Sequence, residues 1–220
     1  PTKLASGGID YLLKNNIKVD LGICRKEARE LNKYFYTYHE KQRPYVILKY
    51  ASSLDGFIAL KNGKSKWITN NLSRSTNHDQ RSDCDAILVG RKTIEFDNPI
   101  LDSHGKGRNP KVIIIDPNEM IDKKSKVYNL KRRPITFTKS ELSENKEKNI
   151  KLILDKLFSL GIQSVLVEGG GKTITEFLNS GIFDEIHVYI APKYFGEGIS
   201  IYQGKGSINN ALDLKLANVE

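Results

Sequence analysis

The sequence predicts an α/β domain with a mainly parallel central sheet flanked by helices. Three observations carry this. Ala86-Ile87-Leu88-Val89, Val112-Ile113-Ile114-Ile115 and Ser164-Val165-Leu166-Val167 are short apolar runs, the pattern of strands buried on both faces. Stretches with helical spacing separate them, as crossovers between parallel strands require. The first and third runs lead into glycine, at Gly90 and at Gly169-Gly170-Gly171.

The elements follow in chain order. A short helix is expected around Ile9 to Asn15. A strand is expected over 17–23, where Ile17, Val19, Leu21 and Ile23 alternate with Lys18, Asp20 and Gly22. A helix from about Lys26 to Phe35 places Ala28, Leu31 and Phe35 on one side. Thr37 to Pro44 reads as a polar connector, and a domain boundary is set there, dividing 1–43 from 44–220. Tyr45 to Ala51 is rich in strand formers. Residues 70–83 read as a polar helix capped from the 69–71 region, and another helix starts near Thr93. Ile150, Ile153, Leu154, Leu157 and Phe158 form the clearest helical stripe, closed by Gly161. A helix from about Thr173 to Asn179 ends at Gly181, and Ile186 to Ile190 is the last expected strand.

Bulk properties narrow the function classes. The chain has 220 residues, 39% hydrophobic and 28% charged, as in globular proteins. No apolar run is long enough to span a membrane. The start, Pro1-Thr2-Lys3, has neither an initiator Met nor a signal-peptide pattern, so a piece of a longer cytoplasmic protein is expected. Cys24 and Cys84 read as reduced thiols, one or both in the core. The cysteines and histidines show no metal-ligand spacing, so no metal is expected. The net charge is +9 with a pI near 9.4. Between Asp122 and Lys151 ten Lys/Arg stand against four Asp/Glu, but with few aromatics and no periodic basic face. That reads as solvated surface rather than a nucleic-acid groove.

Chemistry concentrates at the strand ends. Gly169-Gly170-Gly171-Lys172-Thr173 lies between a strand and a helix, where free N–H groups and a helix N-terminus can hold phosphate. It has neither the GxxxxGK[ST] nor the GxGxxG spacing, and a tight strand–helix turn explains it equally well. Gly90-Arg91-Lys92-Thr93 repeats the arrangement with two cations. Arg91 and Lys92 suit a phosphate monoester such as the 2′-phosphate of NADP, or simply solvent. Trp67, within Ser65-Lys66-Trp67-Ile68-Thr69, is either a core residue or the wall of a pocket for a flat ring. Lys49 interrupts an apolar run and, if buried, needs a partner. Asp55-Gly56, Arg81 and Asp97-Asn98-Pro99 are the other charged candidates.

These motifs together carry a resemblance. Arg43-Pro44-Tyr45-Val46-Ile47-Leu48-Lys49 with Ser53-Leu54-Asp55-Gly56, then Ser65 to Thr69, Asp85 to Gly90 with Thr93 and Asp97-Asn98-Pro99, and Val167 to Gly171 follow one another as in a known family. From Pro44 to about Gly198 the chain resembles the pyrimidine reductase domain of the bifunctional riboflavin biosynthesis deaminase-reductases. The resemblance implies a dihydrofolate-reductase-like fold. It also implies NADPH-dependent reduction of the ribosyl group of 5-amino-6-(5-phosphoribosylamino)uracil, a phosphorylated pyrimidine. It places cofactor contacts at Ala51, Trp67, Thr93, Asp97 and Gly170 to Glu176, including Gly171, Lys172 and Thr173, with Arg91 added on charge. Substrate contacts fall on Ser65, Arg81, Leu101 and Glu168. Glu168, Lys49 and Asp55 are the catalytic candidates. Where the family has an arginine near the substrate phosphate, this chain has His104, with Lys106 and Arg108 as further sources of charge. Residues 1–43 resemble the tail of the family's deaminase domain without its zinc ligands, so no deamination is expected. On this resemblance the chain is expected to stop before the family's last strand pairing, and a homodimer formed through the sheet edge is implied. The rival readings are another NADPH-dependent reductase of the same fold and a non-catalytic basic fragment.

Overall fold

The computed structural model describes residues 7–63, 65, 70–129, 131–204 and 211–219. In chain order its elements are α1 (Gly8–Lys14), α2 (Arg25–Leu31), α3 (Lys33–Lys41), β1 (Tyr45–Ser53), β2 (Phe57–Ala59), α4 (Asn71–Asp83), β3 (Ala86–Gly90), α5 (Arg91–Asp97), β4 (Lys111–Ile115), β5 (Ile135–Phe137), α6 (Lys146–Ser159), β6 (Ser164–Val167), α7 (Gly171–Ser180), β7 (Glu185–Ala191) and β8 (Ile199–Ser200).

One sheet runs in the order β5-β4-β3-β6-β1-β7, and each neighbouring pair is parallel. β2 and β8 form a separate antiparallel pair. The continuous apolar runs are explained by burial on both faces. On one face Val46, Leu48, Leu88, Ile113, Val165 and Val167 pack against Ile150, Ile153, Leu154 and Leu157 of α6 and Ile174 and Phe177 of α7. On the other, Ile87, Val89, Val112 and Ile114 meet Ile94, Leu101, Ile121 and Val127. Tyr45, Ile47 and Leu166 pack there with Cys84, and Tyr34 lies against them. The chain leaves β1, builds β3, β4 and β5 outward, then returns to insert β6 between β3 and β1. The carboxyl ends of β3, β6 and β1 therefore lie side by side at a reversal of strand order, where open α/β sheets form crevices.

Three expectations near the N-terminus are corrected. Residues 17–23 form no strand. Ile17, Leu21 and Ile23 are exposed and have no neighbouring strand to complete a ladder, so their alternation is not used. The helix expected over 26–35 is broken at Asn32, whose side-chain amide donates to the Ala28 carbonyl and ends α2. The expected connector 37–44 is mostly helix, since α3 continues to Lys41. Its aromatics hold it on the domain. Tyr34 packs on Tyr45, Tyr38 packs on Phe158, and the Tyr38 hydroxyl donates to the Phe158 carbonyl at 3.0 Å. Tertiary contacts outweigh the polar composition of this segment.

Candidate active site

Glu168 follows the carboxyl end of β6, and Lys49, at the middle of the longer β1, lies level with it. Glu168 is nearly buried, with 12% of its side chain exposed. Arg81 of α4 meets it with both arms, Nε to Oε1 at 2.8 Å and Nη2 to Oε2 at 2.9 Å. The Asn77 amide adds a hydrogen bond to Oε2 at 3.3 Å. Burial pushes the Glu168 carboxyl up, but the charge and hydrogen bonds of Arg81, then the charge of Lys49, win and hold it at about 2. Burial lowers the pKa of Lys49; Glu168 opposes that shift and Arg81 reinforces it. The Lys49 ammonium also lies 5.2 Å from the centre of the Tyr189 ring, a cation–π distance. The result is a fixed carboxylate beside a lysine whose proton is easier to remove than that of a solvated lysine.

Glu168 and Lys49 open onto a cleft of about 1360 Å³. Its floor is made by the two glycine turns. They sit in contact through Thr173: a Cβ on Gly90 would come within 2.6 Å of Thr173 Oγ1, and one on Gly169 within 2.6 Å of Thr173 Cβ. Only glycine permits this approach. α7 follows Gly170 with no side chain capping its first turn, so its leading N–H groups remain available to a ligand. Gly90 to Thr93 and Gly169 to Thr173 all line the cleft.

Against this geometry the comparisons are specific. The RibD C-terminal domain family matches residues 44–220. The riboflavin biosynthesis protein RibD of Aquifex aeolicus is 42% identical over 239 residues, a match that covers 100% of this chain and 67% of that protein. The chain belongs to the RibD C-terminal domain family. The RibD of Actinobacillus pleuropneumoniae is 31% identical, covering 100% of this chain and 65% of that protein. Among solved structures, a diaminohydroxyphosphoribosylaminopyrimidine deaminase/5-amino-6-(5-phosphoribosylamino)uracil reductase from Thermotoga maritima superposes with a TM-score of 0.91 at 36% identity, covering 100% of this chain and 65% of that one. The riboflavin biosynthesis reductase Rib7 of Saccharomyces cerevisiae gives 0.62 at 26% identity, covering 80% of this chain and 90% of that one. This chain thus spans about two thirds of the length of its RibD relatives. The fold is the dihydrofolate-reductase-like fold of RibD reductase domains.

For this RibD domain the structure brings most expected site residues to one place. Lys49, Ala51, Ser65, Arg91, Thr93, Asp97, Glu168, Gly170, Gly171, Lys172, Thr173 and Glu176 all line the cleft. Arg91 does so while paired with Glu95 at 2.7 Å, which offsets part of its charge. Trp67 lies outside the described residues.

Three expectations change. Asp55 does not line the cleft; its carboxylate accepts from the main-chain N–H groups of Phe195 and Gly196 and clamps that turn. The Ser53 hydroxyl and these amides lower its pKa, which suits a structural anion rather than a proton donor. Leu101 gives its side chain to the core at 2% exposure, so a substrate contact there falls to its main chain. Arg108 is committed to Asp85 at 2.6 Å, and Asp85 also holds the N–H groups of Gln163 and Ser164 at the opposite end of the sheet. His104 lies beside the Arg81 side of the cluster. Its ring stacks on His78 at 4.0 Å and its Nε2 is 3.1 Å from Asp102, whose carbonyl accepts from Arg81. Asn77, His78 and Tyr189 are neighbours of the cluster that sequence reasoning missed. No local motif marks them, because each meets its partner only after the sheet is assembled.

Proposed function

We propose that this chain reduces the ribosyl group of 5-amino-6-(5-phosphoribosylamino)uracil to the ribitylamino product, with NADPH as cofactor. The observation that carries this reading is the Lys49–Glu168–Arg81 cluster at the mouth of a cleft floored by two phosphate-type turns. The donor set fits a dinucleotide: open N–H groups at the start of α7, Lys172 beside them, and Arg91 and Lys92 on the neighbouring turn. The reductases from Thermotoga maritima and yeast share this fold, and the yeast match covers 90% of that chain. When bound, reduced nicotinamide supplies a hydride for the sugar's C1′ carbon.

The protein's residues prepare the substrate for that transfer. As the C1′–O bond of the sugar ring opens, Lys49 gives a proton to the ring oxygen, and its lowered pKa eases the step. Glu168, locked by Arg81, accepts hydrogen bonds from sugar hydroxyls and fixes their orientation. The substrate phosphate falls on the Arg81–His104 side, within reach of Lys106. In this reading the protein is a cytoplasmic enzyme, residues 1–43 are the tail of a preceding domain plus a linker, and self-association uses the outer edge of β7, where Val188 and Ile190 are exposed.

The test follows NADPH oxidation by its near-ultraviolet absorbance, with the deaminated phosphoribosylaminopyrimidine as substrate and NADH in parallel. Substrate-dependent oxidation, faster with NADPH, is expected. Binding of NADPH with no substrate-dependent oxidation would overturn the reading.

A further inference from the structure

A polar lane runs along the sheet face that carries Lys49. Glu185, His187 and Tyr189 of β7 stand in register with Ile47, Lys49 and Ala51 of β1, so their side chains leave the sheet on the same face as Lys49. α4 lies over that face and presents Asn77, Gln80 and Arg81 from one side, at spacings of three and four residues. Arg81 and Asn77 reach Glu168, next to β6. Gln80 reaches the other way, and its Nε2 lies 2.6 Å from His187 Nδ1 on β7. β1 lies between β6 and β7. α4 is therefore strung across the strand that carries Lys49, tied by Arg81 and Asn77 on one side and by Gln80 on the other.

The His187 ring state follows from its partners. Its Nε2 is 3.0 Å from Glu185 Oε2. The other oxygen of Glu185 takes the Tyr45 hydroxyl at 2.8 Å and the Lys33 ammonium at 2.5 Å. A carboxylate can only accept, so Nε2 carries a proton; in the neutral ring Nδ1 is then left to accept from the Gln80 amide. The second polar atom of that amide, Oε1, is buried with no hydrogen-bond partner. Among the described hydrogen bonds, His187 is the single anchor of the Gln80 side chain.

We propose that His187 is a positioning residue of the reductase site: by holding Gln80 it fixes α4 across β1 and sets where Arg81 and Asn77 hold Glu168 relative to Lys49. The proposal rests on the reading of Lys49 and Glu168 as the groups that meet the substrate. Glu185 sets the tautomer, Gln80 carries the link, and α4 transmits it.

Two near-isosteric variants separate the two ends of the imidazole. His187→Asn puts an amide near the Nδ1 position and keeps a partner for Gln80. His187→Gln puts one near the Nε2 position and keeps a partner for Glu185 alone. With the 220-residue chain, H187Q is expected to lower kcat about tenfold, since small displacements at a distance misalign reacting groups. Its affinity for NADPH is expected to stay unchanged, and H187N is expected to keep kcat within about twofold of the original. The side-chain Nε–H resonance of Arg81, read by NMR without substrate, is expected to move in H187Q and stay in H187N. Equal loss of kcat in both variants, with lowered melting temperatures and an unmoved Arg81 resonance, would show a merely structural histidine and overturn the proposal. If the unsubstituted chain turns over no substrate, the reading of Lys49 and Glu168 fails. The Arg81 resonance then decides the positioning claim alone, and its failure to move in H187Q overturns that claim.

Discussion

Glu168 and Lys49 sit in one cluster, yet their burial has opposite consequences. Glu168 is held at about 2, below the 4.5 of an ordinary glutamate, because Arg81 and Lys49 outweigh its burial. A depressed carboxylate stabilises the fold above its unfolded pKa, and that stability is lost as pH falls from about 4.5 towards 2. The shift corresponds to roughly 3 kcal/mol. Glu168→Gln should therefore flatten the fall in denaturation midpoint between pH 5 and pH 2, leaving a smaller slope from Glu185, which is also held at about 2. A slope identical to that of the original chain would refute the assignment. Glu168→Gln should also lower turnover more than it lowers NADPH affinity, because the cofactor turn begins one residue further on. Lys49 carries the reverse sign. Its charged form is penalised by burial, so Lys49→Met should keep the melting temperature or raise it, while kcat falls about a hundredfold or more. Arg81→Ala leaves Glu168 buried without its main partner and should cost about 3–5 kcal/mol in chemical denaturation. A Lys49→Met chain that unfolds as readily as Arg81→Ala would show that the lysine holds the fold rather than serving the reaction.

The strand–helix turns respond to substitution according to what lies beside each glycine. A Cβ on Gly169 would meet Thr173 Cβ at 2.6 Å, a backbone-proximal atom that moves only if the first turn of α7 moves. Gly169→Ala should weaken NADPH binding, measured by fluorescence titration, and lower the melting temperature. Gly161 follows α6 at a φ of +75° with nothing within 4 Å of a Cβ. Gly161→Ala should cost about 1–2 kcal/mol from the left-handed backbone alone, with NADPH binding untouched. The same contrast explains what the sequence could reveal. β3, β4 and β6 are legible because burial on both faces leaves an uninterrupted apolar run, and the turns are legible because glycine follows such runs directly. α3 is not, because its aromatics find Tyr45 and Phe158 far along the chain. The alternation at 17–23 misleads for the converse reason: a period of two specifies a strand only when a neighbouring strand is there to pair with it. In the site, Lys49 stands out locally as a cation within an apolar strand. Arg81 is joined to Glu168 across 87 residues and Gln80 to His187 across 107, separations that no local pattern encodes.

Across the molecule, stability is distributed unevenly along the N-terminal segment, and the anchors locate the change. α1 and α2 contain no buried residue. Between them, Ile17, Leu21 and Ile23 are exposed. The described side-chain ties from α2 to α3 lie at the surface: Arg29 pairs with both oxygens of Glu40 and lies over the Tyr36 ring, and Glu30 meets Lys33 at 3.5 Å, contacts that solvent screens. From Lys33 onward the character reverses. Lys33 bonds Glu185, the Tyr38 hydroxyl bonds the Phe158 carbonyl, and Lys41 and Arg43 converge on Asp184, whose carboxylate also takes the N–H of Val46 at the start of β1. Burial pushes the Asp184 carboxyl up, but Arg43, Lys41 and the Val46 amide hold its pKa down, so the junction is fully charged at neutral pH. A brief tryptic digest should therefore progress through Lys14, Lys18 and Arg25 to Arg29, removing α1 and most of α2, before it cuts at Lys33, Lys41, Lys49 or Lys111 in α3, β1 and β4. The fragment that remains should melt within a few degrees of the full chain, because the helices removed contribute almost nothing to the core. Mass spectrometry of the first fragments and a melting curve of the isolated product check this. A large fall in melting temperature would mean that α1 and α2 stabilise the sheet through contacts that burial does not register. Retention would place the start of the independently stable unit at α3, eleven residues ahead of the family match that begins at Pro44, because Lys33 is where the chain first bonds to the sheet.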